Sequence, residues 1–302
     1  MESIDQAYEI PDSLLRHIYK YDKLLPLLAT SEPELVLDTT TRSPVKTLKS
    51  ERVTFSSTHD QRVLATVTKP NANGTFPAVI FQHGSTPLGR FSWTSRQKII
   101  HHWASMGLTV IAVDAYGFGS RELPDDRGRL RPQRPDLLFR TRDQRIQAVQ
   151  DLMRTVDYLN QRDDIDPNYI GYLGMSMGTR IGVPFMGLDH RVKVGAFFVG
   201  GSGTYARFNT DEEDWKHLTM DEVITFHLTD PARFAGLTNG RATLCANAND
   251  DVLVGSAAAH RLQESFSEPH TNIWFDGGHG DTPDQVFQRA WELFAEAFSL
   301  NS

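Results

Sequence analysis

Three side chains of this 302-residue chain could act together: a serine, then an aspartate, then a histidine, each just past a separate apolar run. Ser176 stands in Gly174-Met175-Ser176-Met177-Gly178, after the run "YIGYLGM" and before a stretch of helical period. A serine hydroxyl is a poor nucleophile at neutral pH, so it needs a base within hydrogen-bond reach and a third group to orient that base. His279 in "WFDGGHGD" supplies the base, with Gly277 and Gly278 letting its loop bend back. The acid is Asp250 or Asp251 in "ATLCANANDDVLV". Asp250 is preferred, because Asp251 lies closer to "VLVGSAAAHRL" and suits capping that helix. A tetrahedral oxyanion also needs backbone donors. Met177 N–H, at the helix start, is one, and Ser85 N–H in "QHGSTPLG" is the second. His83 is read as fixing that loop through its ring, without taking a proton.

Each piece alone has an ordinary reading. A pattern with three fixed positions recurs by chance, a histidine in a Gly-rich loop is usually solvated, and Asn-Asp-Asp is usually a turn or a cap. The weight rests on their order and on the elements that carry them. From Pro77 onward, short β-branched or aromatic runs alternate with stretches of helical period, which predicts an α/β fold with a mostly parallel central sheet flanked by helices. "VTFSS" and "RVLATVTKP" read as an antiparallel pair at the sheet edge, then come strands at "PAVIFQHG", "LTVIAVDAYG", "YIGYLGM", "KVGAFFVGG", "ATLCANA" and "TNIWFDGG". Helices are expected around "SWTSRQKIIHHWASMG", across 137–162, where Ile146, Val149, Leu152 and Val156 recur at helical spacing, and at "QVFQRAWELFAEAF". The expected division is an N-terminal helical extension over 1–50 and a main domain over 51–302, with a small helical cap insertion at about 204–240.

A formal net charge of −7 argues against general affinity for nucleic acid or an anionic membrane. No apolar run approaches the ~20 residues of a membrane span, and the acidic N-terminus lacks the pattern of an export signal. The single cysteine, Cys245, excludes an intrachain disulfide and fits a reducing compartment, so a cytoplasmic location is expected. Adjacent His101 and His102 point to different faces of their helix, unlike a helical zinc pair, and no metal or cofactor is required. Within the insertion, Trp215, Phe226 and Phe234 could line an acyl or alcohol pocket, Trp215 and Phe226 being the candidate substrate-binding residues, although such aromatics more often anchor an insertion to the body. Arg121, Arg127, Arg129, Arg131 and Arg134 in the loop after "DAYG" could recognise a substrate carboxylate, although charge runs are usually just solvated.

Taken together, "GMSMG", "NDDVLV" and "GGHGD" resemble the α/β-hydrolase superfamily, and the likeness runs from about Val53 to the C-terminus. Within it, "ID" before "PNYIGYLGMSMGTRIG" and the "DAYGFGSREL" stretch look like the dienelactone-hydrolase and prolyl-oligopeptidase-like esterase groups. Dienelactone hydrolases carry a cysteine where this chain has Ser176, so their own reaction is not implied. The resemblance implies a serine hydrolase acting on a small-molecule carboxylic ester, with Ser176 as nucleophile, Asp250 as acid and His279 as base. The alternatives are an amidase, peptidase or thioesterase using the same residues, or a binding protein that keeps the fold without the chemistry. Oligomeric state is not legible.

Overall fold

A computed structural model describes residues 10–121, 135–202 and 220–300. Two runs of β-branched and apolar residues, β2 (Leu48–Ser56) and β3 (Arg62–Pro70), form an antiparallel pair. They follow α1 (Asp12–Ile18) and β1 (Thr30–Glu34). The alternation then sets in: β4 (Phe76–Gln82), α2 (Gln97–Ser105), β5 (Thr109–Val113), α3 (Pro135–Asn160), β6 (Ile165–Met175), α4 (Met177–Leu188) and β7 (Val192–Phe198). Helices α5 (Met220–His227) and α6 (Ala232–Ala235) intervene before β8 (Thr243–Ala248), α7 (Ser256–Glu264), β9 (His270–Phe275) and α8 (Asp284–Ala297).

Among the described residues the nine strands form one sheet in the order β1-β2-β3-β5-β4-β6-β7-β8-β9. From β5 to β9 every neighbour is parallel, while β1, β2 and β3 run antiparallel to theirs. Parallel strands covered on both faces must be apolar throughout, and β4 and β5 show how the two-residue period divides them. Ala78, Ile80, Ile111 and Val113 face the layer of α3 and α4, where they meet Val149, Leu152, Val156 and Phe185. Val79, Phe81, Val110 and Ala112 face the layer of α2 and α8, with Trp103, Phe287 and Phe294. Removing the larger of these side chains, valine, leucine, isoleucine and phenylalanine, from water stabilises the fold by about 1.5–3 kcal/mol each.

The N-terminal segment departs from its expected form. The apolar spacing over 14–28 predicts one helix, yet α1 ends at Ile18, and Tyr19 and Leu27 reach the main core from irregular chain. The segment also supplies a strand, because Thr30–Glu34 pairs antiparallel with β2, from Thr30 opposite Thr54 to Glu34 opposite Ser50. The edge on this side is therefore β1. It carries Pro33 and is mostly exposed, both features of strands that meet solvent on one side. In the insertion, α5 and α6 are helical, and residues 203–219 lie outside the described residues.

Candidate active site

The elbow is built by backbone geometry. Ser176 takes φ 54° and ψ −110°, a conformation that costs an L-residue about 1–3 kcal/mol and persists only where its surroundings enforce it. Its N–H donates to Phe198 O at 2.8 Å, and the Thr179 hydroxyl donates to the same carbonyl at 2.9 Å. The flanking glycines are required by close approach. A Cβ on Gly174 would come 2.6 Å from Gly178 O, and one on Gly178 would collide with Gln82 O at the end of β4. Tyr172, buried in β6, donates its hydroxyl to Gly178 O at 2.6 Å and ties strand to helix. Of the two methionines, Met175 packs on the α2/α8 layer and Met177 on the α3/α4 layer.

Loops at the carboxyl ends of β8 and β9 meet this serine, where open parallel sheets place their ligands. His279 Nε2 is 2.8 Å from Ser176 Oγ, and His279 Nδ1 is 2.7 Å from Asp251 Oδ2. The carboxylate fixes the tautomer that donates from Nδ1, so Nε2 accepts from the serine hydroxyl. The structure corrects the expected acid: Asp251, not Asp250, stands against the imidazole. Asp251 does not cap the following helix, which begins after Gly255 without a side-chain cap; it bonds the loop before it. Oδ1 accepts from Leu253 N–H and Val254 N–H, each at 2.9 Å, which leaves Oδ2 for His279. The carboxylate is 2% exposed. Asp250 instead joins the two loops through its backbone, donating from N–H to Gly277 O at 3.0 Å, while its side chain is exposed.

Sequence reasoning passed over the residue that holds the histidine loop. Asp281 Oδ2 accepts from Gly278 N–H at 2.8 Å, and Gly277 turns at φ 125°. The only signal was the final aspartate of "GGHGD". The loop after β4 is fixed by His83, whose Nδ1 is 2.6 Å from Gly84 O while Nε2 accepts from Ala115 N–H at 3.0 Å. That pairing defines a neutral ring, and burial pushes its pKa below the ordinary histidine value. Next to it, Asp114 forms a buried ion pair with Arg90 and accepts from Arg90 N–H at 2.6 Å and Ser120 N–H at 3.1 Å. The loops after β4 and β5 are thereby joined. Gly84 lies so close to the elbow that a Cβ there would be 3.2 Å from Ser176 Cβ.

Ser85, Met177, Ser176 and His279 line one cavity of about 230 Å³, with Tyr116, Phe118, Ile181, Leu253 and Val254 as its apolar wall. Ser85 and Met177 thus line the same cavity as the serine. Phe226 lies on α5, but its side chain is outside the described part, as is all of Trp215. Phe234 is wholly buried, edge-on to Tyr19 at 5.5 Å, and anchors the insertion to the body. Arg121 is taken up structurally: its Nη1 donates to Asp151 Oδ2 at 2.6 Å. Arg127, Arg129, Arg131 and Arg134 fall outside the described residues.

Two solved structures share this architecture. Acetyl xylan esterase from Paenibacillus sp. R4 superposes with a TM-score of 0.67 at 21% identity, covering 94% of this chain and 99% of that one. Acetyl xylan esterase 1 from Thermoanaerobacterium sp. JW/SL YS485 gives 0.67 at 16% identity, covering 96% and 100%. At such identities the likeness shows the fold, the α/β-hydrolase fold. The Bacillus subtilis (strain 168) protein YtaP is 28% identical over 146 residues, 45% of this chain and 47% of that protein. The match therefore spans about half the length of that relative. Residues 20–233 match the acetyl xylan esterase (AXE1) family, and the chain belongs to it.

Proposed function

We propose that this protein hydrolyses carboxylic esters of small molecules through an acyl-enzyme on Ser176. The observation that carries the reading is the unbroken contact from Ser176 Oγ through His279 to Asp251, at 2.8 Å and 2.7 Å. Family membership supports it, since the family takes its description from an esterase. In the forward step Ser176 Oγ attacks the ester carbonyl carbon while its proton passes to His279 Nε2. The C–O bond to the alcohol then breaks, and the imidazolium returns the proton to the departing oxygen. Water repeats the sequence on the acyl-enzyme, releasing the acid and restoring the serine. Asp251 holds the ring in its tautomer and stabilises the imidazolium. Met177 N–H and Ser85 N–H are assigned to the oxyanion, where each such donor is worth ~10²–10³ in rate.

The small cavity suits a short acyl group, and an acetyl ester of a larger polar alcohol is in keeping with the acetyl xylan esterases that share the fold. Labelling by a fluorophosphonate and turnover of 4-nitrophenyl acetate test the reading together. Wild type should do both and Ser176→Ala neither. A wild type that neither labels nor turns over would contradict it.

A further inference from the structure

We infer that the catalytic cavity selects esters that carry a carboxylate, with Arg180 as the residue that recognises it. This rests on the esterase reading above and narrows its substrate class. Met177, Arg180 and Ile181 share one face of α4 at the i, i+3, i+4 spacing, and all three line the cavity that holds Ser176 and His279. Arg145 of α3 lines it too.

What sets Arg180 apart is the state of its guanidinium. Three other arginines packed into this fold are bonded several times over. Arg154 donates to Ser56 O, Leu25 O and Asp157. Arg241 donates to the carbonyls of Met186, Asp189, Val192, Leu237 and Thr238. Arg191 pairs with both Asp157 and Asp189. The Arg180 guanidinium, by contrast, makes no hydrogen bond or ion pair with the described residues, and the residue keeps part of its surface open; its backbone N–H is bonded, to Ser176 O. Its electrostatic neighbours are Arg145 and Asp230. Both Asp230 oxygens are engaged, accepting from the Ser202 hydroxyl at 2.8 Å and from Ala232 N–H at 3.1 Å. Burial and the like charge of Arg145 lower the Arg180 pKa to about 10, so it remains cationic at neutral pH. Among the described residues, the other carboxylate near the site, Asp251, is turned away behind the imidazole and bonded on both oxygens.

A partly buried guanidinium, beside a second cation and with its planar fork unused among the described residues, is a receptor for a carboxylate. Its position one turn from the nucleophile places that carboxylate on the substrate itself, on the acyl or the alcohol side of the ester. The apolar wall of Phe118, Ile181 and Leu253 takes the intervening carbons.

The test compares kcat/KM for mono(4-nitrophenyl) glutarate, charged on the acyl side, with 4-nitrophenyl butyrate, and for 4-acetoxybenzoate, charged on the alcohol side, with phenyl acetate. Wild type should prefer the charged member of at least one pair. In Arg180→Met, which keeps the aliphatic stem, that preference ratio should fall roughly 10- to 100-fold, as expected for one lost charge-assisted pair. Arg180→Lys should restore part of it, and raised salt should shrink it in wild type. A ratio that stays within threefold in Arg180→Met for both pairs, or a wild type that turns over the neutral esters without preferring either charged one, overturns the inference alone. A wild type that turns over none of the four overturns the esterase reading and this inference with it.

Discussion

The elbow between β6 and α4 and the acid loop after β8 each place one catalytic candidate, and they do so by opposite means. At the elbow, the backbone decides. Ser176 is at positive φ, and Gly174 and Gly178 stand where a Cβ would strike neighbouring main chain. At the acid loop the side chain decides, because Asp250 and Asp251 are adjacent, chemically alike and both on flexible-looking sequence. The choice is made by which side chain the loop turns inward: Asp251 is held by Leu253 and Val254 N–H with Oδ2 against His279, while the Asp250 side chain is left exposed. Steric necessity leaves a mark in residue types, whereas which of two adjacent aspartates a loop turns inward leaves none.

That contrast can be broken at either end, and the elbow offers the largest effect. Ser176→Ala should lower kcat by ~10⁴–10⁶ while leaving the melting temperature at or above that of wild type, since it removes no core contact. Gly178→Ala should act through the backbone instead. Its new Cβ meets Gln82 and His83 carbonyls, so we expect a loss of about 1–3 kcal/mol of stability in denaturant unfolding, with a fall in kcat of ~10² from displacement of the serine. If Gly178→Ala is as stable and active as wild type, the steric account of the elbow is wrong.

On the loop side the effects are smaller. Asp281→Ala removes the acceptor for Gly278 N–H from an exposed loop, and kcat/KM should drop by about fivefold, the rate equivalent of ~1 kcal/mol, with little change in unfolding. His83 tests the β4 loop through pH. Its ring is neutral and its folded pKa lies below the ordinary 6.5, so the unfolded chain binds a proton that the folded chain refuses. Stability therefore falls as pH drops through about 6.5 and is retained above it. Replacing His83 with glutamine should lower stability at pH 8 yet flatten that acid limb by up to about 1.4 kcal/mol per pH unit, as measured by denaturant unfolding at pH 8, 6 and 5.

How far the sequence disclosed the molecule follows the same division. The parallel strands were legible because burial on both faces demands unbroken apolar runs such as "PAVIFQ", and the elbow because close approach demands glycine. The histidine was legible from its place just past the last apolar run. Strand β1 was not, because "TSEPE" has no alternation to read; its order comes from pairing with the open edge of β2. Asp281 and the Arg90–Asp114 pair were hidden for a related reason, as their partners are backbone groups or residues far along the chain. Arg180 follows directly on the elbow in "GMSMGTR", and what distinguishes it is the bonding its neighbours withhold, which no residue type records.

The central claim is that Asp251 orients His279 and Asp250 does not. It is tested most directly by kcat/KM for 4-nitrophenyl acetate in Asp251→Asn and Asp250→Asn measured side by side. An amide at 251 cannot fix the Nδ1–H tautomer, so a loss of ~10⁴ is expected there. The exposed Asp250 should tolerate asparagine within about threefold, since its link to the histidine loop runs through its backbone N–H. Loss of turnover in Asp250→Asn with near-normal turnover in Asp251→Asn would contradict the account.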